Sequence, residues 1–371
     1  MTAFCWVLDS GGAGRGAWQG GVLYELMRWA RANGCFPGVA MGASAGGYAA
    51  ADVATGTPDT VMKGWSHWGL EEIPSRVHEH PDFRSLGGLS RFRSFLYHSI
   101  RYVMSGPELA GVFETAADCR TRVVVFTTRV RRRDGMPFTP RDSLHYFFKS
   151  LTRKLPLTMK YLPGEYIEDP VVFVSHLSPS LAGEFVRPLT RINYHNAIEA
   201  SCLIPFAMGE PMRPEELLPV WRGIDPLHPN PCADDTPWGE LLAPFRFLGD
   251  EAAVFMDGGF ALKMPFRIFE EVASLKRFSE TIQCDKTLVF CCDPKGLLWE
   301  TSMRVRSLNT WDRVRQAMED QRLYILFPDH PVEASFLCTD NPRIMRTFER
   351  GREQGKRILS NERFKDFIHA G

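Results

Sequence analysis

The chain has 371 residues, of which 44% are apolar and 24% are charged, and its 44 basic side chains balance 44 acidic ones. This composition is typical of a folded globular protein and excludes an intrinsically disordered chain. The zero net charge argues against nucleic-acid binding, which needs a basic surface. The nine cysteines are odd in number and form no C-x-x-C pair, so we expect reduced thiols and neither a disulfide framework nor a zinc site.

Targeting signals are not visible in the sequence. The N-terminus lacks a basic stretch followed by a long apolar run, and no segment approaches the roughly 18–20 apolar residues of a membrane span. We therefore expect a cytoplasmic protein, either free or peripheral at membranes, and we keep delivery into another cell as an effector as an open alternative.

The first 55 residues predict the order strand, glycine loop, helix, strand, tight turn, helix. An apolar run at 4–8 leads into the glycine-rich segment 10–16, and apolar residues then recur at three- and four-residue spacing up to Asn33-Gly34. A second apolar run at 39–41 leads into glycines, a serine and a stretch of alanines. This is the opening of a three-layer α/β fold.

The rest of the chain continues the alternation of strands and helices. Further strands are predicted at 122–127, 171–174, 253–256, 287–291 and 324–327. Helices are predicted near 91–104, 107–117, 190–201, 309–321 and 341–358. The alternation favours a mostly parallel central sheet with helices on both faces. Nine of the 26 prolines lie between 205 and 244, which predicts an irregular insertion at about 205–248.

A G-x-S-x-G motif, Gly42-Ala43-Ser44-Ala45-Gly46, lies between a predicted strand and a predicted helix. In that context a sharp turn lifts the serine hydroxyl above the sheet edge, where it can act as a nucleophile. The following helix N-terminus favours developing negative charge. An ordinary small-residue turn is the alternative.

A second candidate element is the glycine loop Ser10-Gly11-Gly12-Ala13-Gly14-Arg15-Gly16. Its backbone N–H groups could hold a phosphate or the oxyanion of an acyl-transfer intermediate. A dinucleotide-binding loop is a rival interpretation, but no acidic residue ends the second strand, and no P-loop sequence follows. A plain strand-to-helix turn is the other alternative.

A third candidate is Asp257, which follows the strand predicted at 253–256 and precedes Gly258-Gly259. An acid at the carboxyl end of a strand can point into the same crevice as Ser44. An Asp-Gly pair is also a common turn signal.

These elements, in this order, resemble the patatin-like phospholipases. That family has an oxyanion loop of the form G-G-G-x-R/K-G after the first strand, a G-x-S-x-G serine some 30 residues later and a distant D-G-G/A. The segments 10–23 and 197–206 are also similar to the family, the latter to its A-x-x-A-S-x-x-I-P stretch. The resemblance implies a patatin-like three-layer α/β/α fold with insertions. We interpret 1–275 as the catalytic domain and 276–371 as a C-terminal α/β extension packed on it.

The resemblance also implies a function. Ser44 would be the nucleophile and Asp257 the base of a Ser–Asp dyad that cleaves acyl esters of phospholipids or lysophospholipids. The dyad would need no metal and no other cofactor.

The resemblance further assigns the oxyanion hole to the N–H groups of Gly11, Gly12, Ala13 and Gly14. Ala13 replaces the third glycine of the family pattern. Alanine keeps the N–H donor, and we expect the loop to function if this position has a negative φ. Arg15 would orient the loop or contact an anionic head group.

Alternatives remain open from sequence. His330 follows Asp257 in the order of a Ser-His-Asp esterase. The chain could instead be a non-catalytic module, or one activated by a protein partner. The basic run Arg129–Arg133 is either a solvated segment or a contact to anionic lipid. Oligomeric state is left open.

Overall fold

The computed structural model describes residues 4–67, 121–152, 165–177, 181–190, 193–205, 211–217, 252–260, 284–292, 308–334, 338 and 340–369. Over these residues eight strands form one sheet, in the order β5-β4-β3-β2-β1-β7-β8, and β6 pairs with β3. The strands are β1 Phe4–Leu8, β2 Val39–Ala43, β3 Arg122–Arg132, β4 Tyr166–Val174, β5 Val186–Pro188, β6 Val254–Asp257, β7 Lys286–Phe290 and β8 Leu323–Leu326.

Helices flank this sheet. They are α1 Gly12–Asn33, α2 Ala45–Thr55, α3 Pro58–His67, α4 Pro140–Thr152, α5 Tyr194–Cys202, α6 Pro214–Leu217, α7 Leu308–Glu319, α8 Asn341–Ser360 and α9 Glu362–His369. A short 3₁₀ turn, Gly258–Phe260, follows β6.

The sheet is mostly parallel and buried on both faces. Strand β3 is antiparallel to β4 and β6, and every other strand pair among the described residues is parallel. Alternate residues of β1 point to opposite sides: Trp6 and Leu8 join a large core with α1, α2, α5 and α8, whereas Cys5 and Val7 join a second core with α7. This confirms the three-layer α/β/α prediction, because each face of the sheet is covered by helices.

Most predicted strands are observed, with shifted ends. The strand predicted at 122–127 extends to 132, and the strand predicted at 171–174 begins at 166. The helices α3 and α4 and the short strand β5 were not predicted from the sequence. The helices predicted at 91–104 and 107–117 lie outside the described residues. Of the Pro-rich segment, the structure describes only residue 205 and residues 211–217.

The C-terminal part of the chain contributes to the same sheet. Strand β7 pairs in parallel with β1 over its whole length, and β8 extends the sheet beyond β7. Helix α8 packs closely on α1, since a methyl group added at Gly21 or Gly351 would collide with backbone atoms of the other helix. These contacts connect residues 284–369 directly to the N-terminal strand and helix.

No helix in the described part of the chain is long and apolar enough to cross a membrane. The described residues also contain no group of three or more His, Cys, Asp or Glu side chains that could hold a metal ion.

Candidate active site

Ser44 lies on the sharp turn between β2 and α2. Its backbone angles are φ 55° and ψ −130°, a conformation that non-glycine residues rarely adopt, and it occupies the N-cap position of α2. Ser44 is buried, with 5% of its surface exposed. Backbone strain of this kind costs of order 1–3 kcal/mol and persists only where the surrounding structure holds it. The turn at Ser44 therefore needs specific support.

The buried side chain of Ser201 provides that support. Its hydroxyl accepts a hydrogen bond from the backbone N–H of Ser44 at 2.8 Å and donates one to the carbonyl of Phe126 at 2.6 Å. Ser201 is on α5 and is fully buried. It belongs to the A-x-x-A-S stretch noted in the sequence, but the motif alone assigned it no role. In the structure Ser201 joins the turn at Ser44 to strand β3.

The ends of β2 and β6 meet along one edge of β3. Strand β2 ends with Ala43 opposite Phe126, and the antiparallel strand β6 ends with Asp257 opposite Thr127, the next residue of β3. Strand β4 occupies the other edge of β3 over these same positions. Strands β2 and β6 therefore approach each other from opposite directions along the same edge of β3. Ser44 is the first residue after β2, and Asp257 is the last residue of β6.

The turn after Asp257 fits closely against the end of β2. A methyl group added at Gly258 would lie 3.0 Å from the Cβ of Ala43 and would collide with the carbonyl of Phe126. Position 258 therefore requires glycine, since any side chain would push the turn away from Ser44. This packing places Asp257 and Ser44 side by side at the carboxyl edge of the sheet.

Several hydrogen bonds fix Asp257. Its backbone N–H donates to the carbonyl of Leu203 at 2.8 Å, and its own carbonyl accepts a bond from the Thr128 hydroxyl at 2.8 Å. The carboxylate oxygen Oδ1 accepts a bond from the N–H of Gly259 at 2.7 Å. With 5% of the residue exposed, the carboxylate has a defined orientation in a mostly dry environment. Neither Leu203 nor Thr128 was singled out from the sequence.

The glycine loop forms the start of α1. Gly11 is the N-cap, and the N–H groups of Gly11 to Gly14 have no acceptor within α1, because the first bond of the helix runs from residue 15 to the N-cap carbonyl. The left-handed backbone angle falls on Gly12, with φ 63°, and Ala13 lies in the first helical turn. The substitution of alanine for the family's third glycine is therefore compatible with the backbone. Gly11, Gly12 and Gly14 are buried, and Arg15 is half-buried.

This loop is packed against the turns that follow Ser44 and Asp257. A methyl group at Gly16 would lie 3.1 Å from the Cβ of Ala45, the residue after Ser44. A methyl group at Gly259 would lie 3.1 Å from the hydroxyl of Ser10. The three motifs that are far apart in sequence therefore converge on one edge of the sheet.

A buried polar network anchors the loop from below. The carboxylate of Asp9 accepts a hydrogen bond from the N–H of Cys292 at 2.8 Å, and the N–H of Asp9 donates to the Gln19 side chain at 2.8 Å. Asp9 and Gln19 are each 1% exposed. The sequence showed Asp9 only as the end of a strand, because its partner Cys292 is 283 residues away.

The basic run at 129–133 is not a continuous charged surface. Arg129 is 1% exposed and forms ion pairs with Asp169 at 2.9 Å and Glu184 at 2.6 Å. Arg132 pairs with Asp134 and with Asp142 at 3.1 Å. Most of the run is part of β3 and is held by acidic neighbours, which leaves Arg133 as its exposed basic residue.

His330 lies in the exposed segment after β8. Strand β8 is separated from β2 by β1 and β7, so these strands stand about 14 Å apart at the usual strand spacing. The described residues do not bring His330 to the edge shared by Ser44 and Asp257.

A family model described as patatin-like phospholipase matches residues 7–270 of the chain. A search of curated proteins finds no match. The matched range includes the glycine loop, the turn at Ser44 and the turn after Asp257.

Proposed function

The chain belongs to the patatin-like phospholipase family, and from this premise we propose that it works by a Ser–Asp mechanism. Membership of this family supports lipid acyl hydrolase activity in general. Ser44 is the nucleophile, Asp257 is the general base, and the substrate is an acyl ester of a phospholipid or lysophospholipid. The observation that carries the proposal is the meeting of β2 and β6 along β3, which brings Ser44 and Asp257 together at the N-terminus of α1.

The proposed reaction has two steps. The Ser44 hydroxyl oxygen attacks the ester carbonyl carbon while Asp257 accepts its proton, and collapse of the tetrahedral intermediate breaks the bond to the alcohol. The alcohol leaves with the proton from Asp257 and an acyl-serine remains. Water then attacks the acyl carbon with Asp257 again as the base, which releases the fatty acid and restores the Ser44 hydroxyl.

A carboxylate is a weak base for a serine hydroxyl, so stabilisation of the oxyanion has to carry much of the catalysis. We assign this role to the N–H groups of Gly11, Gly12, Ala13 and Gly14. They lie at the positive end of a helix of 22 residues, where a developing negative charge is favoured. Arg15, one position further along, orients the loop or contacts an anionic head group.

A fluorophosphonate probe followed by mass spectrometry tests the nucleophile. We expect the label on Ser44, and label on any other residue would refute the assignment. Hydrolysis of a fluorogenic acyl ester tests the base: Asp257→Asn should lower kcat by about 100-fold or more, the usual contribution of a general base.

His330→Ala is the control for the base, because a Ser-His-Asp esterase would lose activity in this variant. We expect turnover close to that of the unmodified chain. Loss of turnover with intact folding would contradict the dyad. Ser44 labelling without any ester hydrolysis would instead favour a chain that needs a protein activator.

A further inference from the structure

Helix α4 has an outward face that is unusually apolar. Arg141, Leu144, His145 and Phe148 are all exposed and follow each other at the i, i+3, i+4, i+7 spacing of one helix face. Leu144 is 38% exposed and Phe148 is 55% exposed. Leu144 and Phe148 lie one turn apart, so they form a contiguous apolar surface, and surfaces of this kind mark interaction sites.

The helix presenting this face is firmly held. Tyr146 on its inner face is 1% exposed and donates a hydrogen bond to Glu168 on β4 at 2.9 Å. Asp142 in the first turn accepts hydrogen bonds from the N–H and hydroxyl of Thr139, at 2.8 and 2.6 Å. The apolar stripe is therefore displayed on a rigid support.

Helix α4 lies beyond the carboxyl end of β2, the end of the strand that leads into Ser44. Strand β3 runs six residues beyond Phe126, which is level with the end of β2, so it projects about 20 Å past that edge. Helix α4 packs on this projecting part through two contacts. Tyr146 bonds to Glu168, the β4 residue opposite Val130, and Asp142 forms an ion pair with Arg132 of β3.

Basic residues accompany the apolar stripe. Arg133 and Arg141 are exposed, and neither forms an ion pair with any other described residue. Of the neighbouring acids, Asp134 forms an ion pair with Arg132, whereas Glu165 is exposed and lies 3.2 Å from the ring of His145. Met136, in the loop before α4, adds a third large apolar side chain at 58% exposed.

We propose that this surface, which we call the α4 patch (Arg133, Met136, Arg141, Leu144 and Phe148), docks the protein on the surface of a phospholipid bilayer containing anionic lipid. The apolar side chains enter the boundary between head groups and acyl chains, and the two arginines contact lipid phosphates and carboxylates. The inference rests on the proposed function in one respect only, since a hydrolase of phospholipid acyl esters meets its substrate at a bilayer surface.

The test is vesicle sedimentation of the full chain carrying Ser44→Ala, so that turnover does not alter the lipid. We expect binding to mixed phosphatidylcholine and phosphatidylserine vesicles. Leu144→Ser with Phe148→Ser should lower the partition coefficient by about tenfold, because the two substitutions replace the apolar side chains that would enter the bilayer. Arg133→Glu with Arg141→Glu should reduce binding to the anionic vesicles by about fivefold or more for each charge, with little change for pure phosphatidylcholine.

The chain offers a matched control in Met318→Ser with Phe327→Ser, two exposed apolar residues of 48% and 47% exposure that lie outside the α4 patch. This control should bind like the parent chain. Equal losses in both apolar pairs would overturn the proposal. A parent chain that stays in the supernatant would also overturn it and would favour a protein partner for this surface, whereas fluorophosphonate labelling of Ser44 in solution would still report separately on the proposed function.

Discussion

Ser201→Ala probes how the strained turn at Ser44 is held. The substitution removes the acceptor of the Ser44 N–H at 2.8 Å and the donor to the Phe126 carbonyl at 2.6 Å, in a site with no solvent access. An unsatisfied buried donor costs about 1–3 kcal/mol, and the strain at Ser44 is of the same size. We therefore expect the free energy of unfolding to fall by about 1–3 kcal/mol and the turn to relax. A shift of about 1 Å in a nucleophile can cost 100-fold in rate, so kcat should fall by roughly tenfold to 100-fold.

Ser175→Ala is a matched control for stability. Ser175 is 1% exposed, and its hydroxyl accepts the N–H of Val123 at 2.8 Å, near the start of β3 and three residues before Phe126. Both variants should lose a similar amount of the free energy of unfolding, measured by denaturant titration. Only Ser201→Ala should lower kcat when the folded proteins are compared in the acyl ester assay. If the two variants keep the same kcat within about twofold, the role of Ser201 in holding Ser44 is refuted.

Three further predictions concern packing, the C-terminal segment and the thiols. Gly46→Ala should abolish folding or activity, because the added methyl group would collide with backbone carbonyls of the β1 end, whereas Gly183→Ala, with open space around it, should be neutral in thermal unfolding. A chain truncated at position 275 loses β7, the partner of the central strand β1, and should be recovered as insoluble protein on expression, while a soluble and fluorophosphonate-reactive fragment would contradict this. A hydrogen bond from the Cys5 thiol lowers the pKa of Cys284, whereas burial raises the pKa of Cys35. Iodoacetamide at neutral pH should therefore modify Cys284 before Cys35 in a mass-spectrometric time course, and the reverse order would show that exposure outweighs thiolate content.

The fold was largely predictable from sequence because its strands are short apolar runs in a regular order. The run at 4–8 and the run at 39–41 have no helical periodicity and are bounded by glycine, which marks buried parallel strands. Helix α4 was not predicted, although its apolar residues recur at the i, i+3, i+4, i+7 spacing of one helix face, at positions 144, 147, 148 and 151. The end of β3 was missed because Arg129 is charged, and only its pairing with Asp169 and Glu184 makes a buried strand position acceptable.

The candidate site was predictable in its chemistry but not in its support. Ser44, Asp257 and the glycine loop lie in motifs whose local sequence indicates a turn. The contacts that hold them come from distant residues, such as Ser201 to Ser44 and Leu203 to Asp257. A single sequence does not contain those pairings, because hydrogen bonds between elements depend on the topology of the sheet. The division of the chain at 275 stays a prediction for the same reason.

The C-terminal segment, although it lies beyond the range matched by the family model, supports the glycine loop from two sides. The N–H of Cys292, just after β7, holds the carboxylate of Asp9 at the start of the loop. Helix α8 packs on α1 so closely that Gly351 faces the backbone of Trp18, only two residues past the end of the loop. Moving either contact would shift the N-terminus of α1, and the donors proposed for the oxyanion would move with it, because backbone N–H groups are fixed to the helix axis. The position of the proposed oxyanion hole is therefore set as much by residues after 284 as by the loop itself.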